Sequence, residues 1–292
     1  MTTASANHGQ VRSGNVDGIR AADQFSDRVT LSQRGRVTLV RLSQPEKRNA
    51  IDGKMVEAIR SAFDGLPKET CAVVLHGEGG HFCAGADLGE LAKYSGLDVA
   101  RFSRSVHEVL DRIEYGALPV IAALHGGVIG GGLELAAAAH IRVAERSTYY
   151  ALPEGMRGIF VGGGGAVRIP RLIGTSRMVD MMLTGRTYGS EQDGLGFSQY
   201  VVENGNGVAA AVKLAEQIAK NTAITNFATV QALPRIARAD SEAGFLMESL
   251  MFTIAASDGE AKTRIHDFLQ KRAAKVSHRE PGLPMRPFDT GE

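Results

Sequence analysis

Along most of the chain, short apolar runs alternate with stretches whose apolar positions recur at helical spacing; the last third keeps the helical spacing alone. Val29-Thr30-Leu31 and Val37-Thr38-Leu39-Val40-Arg41-Leu42 are rich in β-formers and flank Gln33-Arg34-Gly35-Arg36, which predicts a hairpin over 29–42. Ile51, Met55, Val56, Ile59 and Phe63 then fall on one face of a helix. The runs 71–76 and 119–124 read as buried strands, and 99–114 as an amphipathic helix between them. A helix over 133–140 and a strand over 141–144 follow, and then helices over 172–183, 208–221, 234–257 and 259–274. This order is that of a parallel α/β unit followed by helices, with no internal repeat of fixed period. Two predicted strands run into glycine loops, at 77–87 and 126–132, and ligands of open α/β sheets sit beyond the carboxyl ends of strands.

Composition narrows the classes. Of 292 residues, 43% are hydrophobic and 22% charged, an ordinary globular balance that allows one large domain or two small ones. A net charge of +1 gives no electrostatic case for nucleic acid or an anionic membrane, and no apolar run approaches the roughly 18 residues of a spanning helix. The basic-rich 262–286 stretch reads as a solvated face and tail. Two cysteines, Cys71 and Cys83, build neither a disulfide framework nor a metal site and fit a reducing, cytoplasmic compartment. Cys83 reads as a small buried apolar residue. Residues 1–26 lack an apolar signal segment and read as a disordered extension; 27–205 read as the core, 206–276 as a helical region and 277–292, with its prolines, as a disordered tail.

The densest chemistry is Gly130-Gly131-Gly132-Leu133-Glu134, with Pro153-Glu154 placing a second carboxylate twenty positions after the first. Glycines let a ligand approach backbone N–H groups closely, and a helix N-terminus adds unpaired donors and a positive dipole end. Such a place suits a developing oxyanion with two acids to move protons. Taken singly, each part has a plainer reading. The glycine run makes a tight strand-to-helix turn, Glu134 complements a dipole, and Glu154 is a solvated loop residue. No pair among His76, His81 and His125 has metal-site spacing, and His125 reads as a structural hydrogen-bonding residue.

Three blocks resemble those of the crotonase superfamily, the enoyl-CoA hydratase/isomerase family. They are Pro45-Glu46-Lys47-Arg48-Asn49-Ala50-Ile51, Phe82-Cys83-Ala84-Gly85-Ala86-Asp87-Leu88, and His125–Ala136 with Ala151–Arg171. They occur in order, and the resemblance covers about Asp27 to Val276. It implies an α/β fold of the ClpP/crotonase-like kind: a spiral of ββα units with a C-terminal helical trimerisation region, assembling as a trimer or a dimer of trimers. It also implies an oxyanion hole from the backbone N–H groups of Ala86 and Gly131, and catalysis by Glu134, which activates water, and Glu154, which protonates the α-carbon. The implied reaction is syn addition of water to a 2-enoyl-CoA; a Δ3–Δ2 isomerase or hydratase-lyase is the alternative. An idle homologue serving as a scaffold or RNA-binding protein is disfavoured by the near-neutral charge and both glutamates.

The implied partner is an acyl-CoA substrate, coenzyme A being part of that substrate and no further cofactor or metal being required. Glu46, Lys47, Arg48 and Ala50, with Ala84, Gly85, Asp87 and Leu88, would line the CoA end by resemblance, and Gly130 and Pro153 would flank the acids. Lys47 and Arg48 either meet CoA phosphates or are solvated loop cations. Asn49 reads as a brace for its own loop. Tyr150 either lines the acyl pocket or packs in the core or at a trimer interface.

The chain departs from the family pattern after Glu154. In Gly158-Ile159-Phe160-Val161-Gly162-Gly163-Gly164-Gly165-Ala166, Val161 replaces the usual proline and Ala166 the usual hydroxyl. Four consecutive glycines predict a mobile loop unless packing fixes it. A second departure, at Glu191–Phe197, falls in structural territory.

Overall fold

The computed structural model describes residues 26–191 and 195–272; the predicted N-terminal extension (apart from Ser26), the proline-containing tail and the end of the last predicted helix lie outside the described residues. The predicted hairpin is β1 (Val29–Arg34) and β2 (Val37–Leu42), paired antiparallel. β3 (Ala72–Gly77), β4 (Val120–Leu124), β6 (Ile141–Glu145) and β9 (Tyr200–Val202) extend it in parallel, in the order β1-β2-β3-β4-β6-β9. A second sheet holds β5 (Gly127–Ile129), β7 (Tyr149–Ala151) and β8 (Tyr188–Gly189) in the order β5-β7-β8.

Strands alternate between the sheets, and helices follow the pairs. β2 leads to the bridge residue Ile51 and helix α1 (Gly53–Asp64). β3 leads to the bridge residue Cys83, then α2 (Leu88–Leu91) and α3 (Gly96–Glu114). β4 leads to β5 and α4 (Gly131–Ala138), and β6 to β7 and α5 (Gly165–Ile173). This is the predicted succession of ββα turns. α6 (Thr175–Thr184), α7 (Gly207–Ile218), α8 (Ala223–Ile236), α9 (Ser241–Ser257) and α10 (Gly259–Leu269) complete the chain.

The large sheet is covered on both faces, which is why its parallel strands read as unbroken apolar runs. Alternation assigns the faces. Val37, Leu39, Val74, Ile121 and Val143 point toward α7 and meet Ala211 and Leu214. Val40, Leu42, Val73, Leu75, Ala122 and Leu124 point into the main core with Met55, Ile59, Leu110, Leu133 and Leu135. Apart from Glu134, α4 is apolar on every face and buried from Gly132 to Ala138, as suits a helix enclosed by protein. Its C-terminus is closed by a buried cation: Arg142 donates to the carbonyls of Ala139 (2.6 Å) and Phe197 (2.7 Å). Burial pushes the Arg142 guanidinium down to about 10, yet those carbonyls hold it at the negative end of the helix dipole.

Several predicted boundaries are corrected. The helix predicted over 172–183 is two helices, α5 and α6, broken at Gly174, whose φ of 83° no helix accepts. α5 begins inside the glycine run, where composition masks a helix start. The helix predicted over 234–257 is α8 and α9; Pro234 lies in the last turn of α8, and Asp240 caps α9 by accepting from the Ala243 N–H. β5, β7, β8 and β9 have two or three residues each, too few to show a period. No helix among the described residues is long and apolar enough to cross a membrane.

Removing the Arg142 side chain leaves buried carbonyls unpaired and a void at the end of α4. Arg142→Ala is expected to lower the unfolding free energy by about 3 kcal/mol in urea denaturation. A loss under about 1 kcal/mol would mean that other donors reach those carbonyls.

Candidate active site

Two backbone amides define the site, and the loops before them explain why both are unpaired. Asn49 ties the 45–49 loop to the 77–83 loop: its Oδ1 accepts from Gln44 N–H at 2.9 Å, and its Nδ2 donates to the carbonyls of Glu78 and His81, each at 2.9 Å. The Cys83 thiol donates to the Asn49 carbonyl at 3.0 Å; burial pushes this thiol up to about 12, so it is an inert core group. Beyond this clamp, Ile51 accepts from Asp87 N–H (2.9 Å) and donates to the Gly85 carbonyl (2.8 Å). Strand geometry then turns the intervening Ala86 N–H to the opposite side.

Gly131 stands on that side. A methyl carbon on Gly131 would lie 3.4 Å from the Ala86 nitrogen, and one on Gly85 would lie 3.2 Å from the Gly131 nitrogen. Gly131 is the first residue of α4, so its N–H precedes the first intrahelical bond. Among the described residues no acceptor meets either amide. Two free donors thus converge at the positive end of a buried helix.

Both glutamates line the same cavity, of about 800 Å³, with Ala86 and Gly131. Glu134 projects from the first turn of α4, is buried, and accepts at Oε1 from the N–H groups of Gly163 (2.8 Å) and Gly165 (2.7 Å). Any side chain at Gly165 would sit against this carboxylate, its first carbon 2.8 Å from Oε1. The four-glycine run is therefore fixed by packing, which settles the condition set on its predicted mobility. Its glycines admit a carboxyl group, and Ser103 Oγ donates to the Gly162 carbonyl at 2.6 Å. Glu154, also buried, lies against Gly130: a methyl there would come within 2.5 Å of Oε1, and Gly130 has φ 52°. Only glycine meets both demands.

The two carboxyls differ electrically. Burial raises both above the usual carboxylate range. For Glu134 the N–H groups of Gly165 and Gly163 pull the other way by stabilising the anion. No donor among the described residues meets the buried Oε2 of Glu154. Burial first, and the neighbouring charge of Glu134 after its own backbone N–H has acted against it, push Glu154 up to about 7. At Glu134 two backbone donors oppose the burial that raises it, while Glu154, with Oε2 unmet among the described residues, is poised to carry a proton near neutrality. The remaining wall is largely apolar, including Leu88, Leu91, Val99, Phe102, Ile159 and Phe160.

Of the residues singled out by sequence, Ala86, Leu88, Gly131, Glu134 and Glu154 line the cavity. Gly85 and Gly130 lie behind the amides and the Glu154 carboxyl. Ala84 N–H donates to the Arg48 carbonyl and Ala50 N–H to that of Lys47, both bracing the loop. Glu46 and Arg48 are exposed, and Pro153 is half-buried directly before Glu154. Asp87 caps α2 and pairs with Lys47 at 3.0 Å; this contact, with the Glu90 N–H, holds its carboxyl below the usual range. None of these nine lines the cavity wall. Tyr150 is corrected outright as an acyl-pocket residue: it is buried in the core, packs on Phe197 and shares a 2.6 Å hydrogen bond with Ser198. His125 bonds the Gly79 carbonyl at 3.0 Å, and no group of three metal-ligating side chains is found among the described residues.

Sequence reasoning missed Ser103 and Arg168, which hold the glycine loop. Arg168 had a signal: it shares the buried stripe of α5 with Gly165, Ile169 and Ile173, and a charge on an apolar face requires partners.

The model of the enoyl-CoA hydratase/isomerase family matches residues 32–279. A protein named as an enoyl-CoA hydratase in Bacillus subtilis (strain 168) is 32% identical over 229 residues, 77% of this chain and 89% of that protein. An enoyl-CoA isomerase/hydratase of Mycosarcoma maydis is 29% identical over 79% of this chain and 89% of its own. A crystal structure assigned as an enoyl-CoA hydratase from Rhodopseudomonas palustris CGA009 superposes with a TM-score of 0.81 at 53% identity, covering 86% of this chain and 97% of that one.

In protein carrying carbon-13 at glutamate carboxyls, the Glu154 signal, identified by its loss in Glu154→Gln, is expected to titrate near 7; a midpoint in the ordinary range near ~4.3 would show that water solvates the group freely. Since the folded midpoint lies above the unfolded one, the folded state binds this proton more tightly; the resulting stabilisation is fully present at low pH and is lost as pH rises through about 7. Glu154→Gln should accordingly raise the unfolding free energy by about 1–2 kcal/mol at pH 8 and change it little at pH 4.

Proposed function

The chain belongs to the enoyl-CoA hydratase/isomerase family, and from that premise we propose that it adds water to 2-enoyl-CoA thioesters, giving 3-hydroxyacyl-CoA. The thioester carbonyl accepts from the Ala86 and Gly131 N–H groups. Glu134 in its ionised form, which the Gly163 and Gly165 N–H groups favour against burial, takes a proton from a water whose oxygen bonds the β-carbon. The alkene electrons pass to the thioester oxygen, and the resulting enolate is stabilised by the two donors, each typically about 3–4 kcal/mol. As the carbonyl re-forms, Glu154 delivers its proton to the α-carbon on the same face. The proton left on Glu134 then returns to Glu154 through solvent, restoring both acids. Nothing beyond the CoA thioester is required. The observation that carries the reading is the pair of unlike carboxyls sharing one cavity with two free amides.

The apolar wall suits a hydrocarbon acyl group. Two free cysteines fit a reducing cytoplasm. The C-terminal helices support self-association as a trimer or dimer of trimers: α9 buries only Gly244 and leaves Phe245, Leu246, Leu250 and Phe252 exposed, and large apolar side chains exposed together mark interaction surfaces.

An isomerase reading is favoured by relatives such as that of Mycosarcoma maydis, named an isomerase/hydratase, and a single acid such as Glu154 can shuttle a proton between the α- and γ-carbons. The two readings separate in one experiment. Glu154→Gln is expected to abolish both reactions, and Glu134→Gln to cut hydration of crotonyl-CoA about 10²–10⁴-fold with acyl-CoA affinity retained. Hydration at parental rate in either variant excludes the assignment; a parent enzyme that isomerises but does not hydrate crotonyl-CoA, with full isomerase activity kept in Glu134→Gln, makes the enzyme an isomerase. In sedimentation velocity, Phe252→Asp should shift the assembly toward monomer, whereas an unchanged multimer places the interface elsewhere.

A further inference from the structure

The loop that supplies both donors to Glu134 is itself held by a buried cation. Gly163 presents its N–H to Glu134 and its carbonyl to Arg168, whose Nη1 donates to it at 3.2 Å. The other guanidinium nitrogens are committed to α3: Nε donates to Glu114 Oε2 at 2.5 Å and Nη2 to Asp111 Oδ1 at 2.6 Å. Arg168 is 8% exposed and Glu114 13%, so at least one of these ion pairs is shielded from water. The other oxygen of Glu114 accepts from Arg238 at 2.5 Å, which fixes that carboxylate from a second direction. Between the two donors lies Gly164, with φ 94°, a conformation with little intrinsic preference for one geometry. The loop therefore takes its shape from what grips it.

We propose that Arg168 is a positioning residue for the reaction: it ties the Gly163 carbonyl to α3 and so aims the Gly163 and Gly165 N–H groups at the Glu134 carboxylate. Arg168 touches neither substrate nor reacting atoms. A guanidinium suits the role because its fixed fork reaches three oxygens on two elements at once, which an ammonium cannot do. The inference rests on Glu134 being the base of the proposed hydration.

The effect can be told from ordinary loss of stability. Donors to a carboxylate favour its ionised form, so loosening them raises its midpoint further. The titratable groups facing Glu134 are Glu154 and, from α3, His107, both untouched by the change. In Arg168→Met, kcat for crotonyl-CoA hydration is expected to fall about 10- to 100-fold with KM within about twofold. The Glu134 carboxyl, followed by carbon-13 NMR, should titrate about one pH unit higher, with that of Glu154 unmoved. Arg168→Lys should recover part of both effects, and Arg168→Met should add no further loss in a Glu134→Gln background. An unshifted Glu134 titration, or an equal loss in both backgrounds, overturns the proposal. Where Arg168→Met fails to fold, Arg168→Lys and Asp111→Asn carry the same test, each with a smaller shift in the same direction. Failure of the parent enzyme to hydrate any enoyl-CoA counts against the reaction, whereas the NMR titration decides the role of Arg168 independently.

Discussion

Two neighbouring peptide N–H groups that meet no acceptor among the described residues are the constraint around which the fold is arranged. Backbone donors are ordinarily satisfied in secondary structure. Here one is freed by the bridge between Ile51 and Ala86, the other by its place at the start of α4. Each depends on distant parts of the chain. The Asn49 clamp sets the first, and the second needs a helix buried along its length and closed at its far end by Arg142.

The carboxyl pair shows how one fold gives the same side chain two characters. Glu134 and Glu154 are both buried, and desolvation alone would lift both. Two loop N–H groups meet Glu134, whereas Oε2 of Glu154 meets no donor among the described residues, and that contrast separates their surroundings. Proton transfer in both directions needs such a difference, because two equally acidic groups would each be half-committed to the wrong state.

Much of this was legible in the residues. The hairpin, the helix at 51–63, the β3 and β4 runs and the glycine–glutamate segment follow from local period and composition. The cavity-lining set Ala86, Gly131, Glu134 and Glu154 came from motif resemblance, and geometry has since brought it together. What was not legible is non-local or very short. β5 and β7 are three residues long and exist because their neighbours pair with them. α5 starts among glycines because a carboxylate from α4 organises them. Tyr150 lies one strand from the site, but the alternation of β7 turns it to the core, a register its sequence neighbours do not reveal.

The bonds from Gly163 and Gly165 to Glu134 join positions about thirty residues apart with a negative charge as their common acceptor. In the proposed chemistry that charge disappears whenever the base takes up water's hydrogen, and charge-assisted bonds are roughly twice as strong as neutral ones. The wall of the acyl chamber is thus fastened most firmly before the reaction and most weakly just after it. A catalytic cycle of this kind carries its own timer for letting go of what it has made.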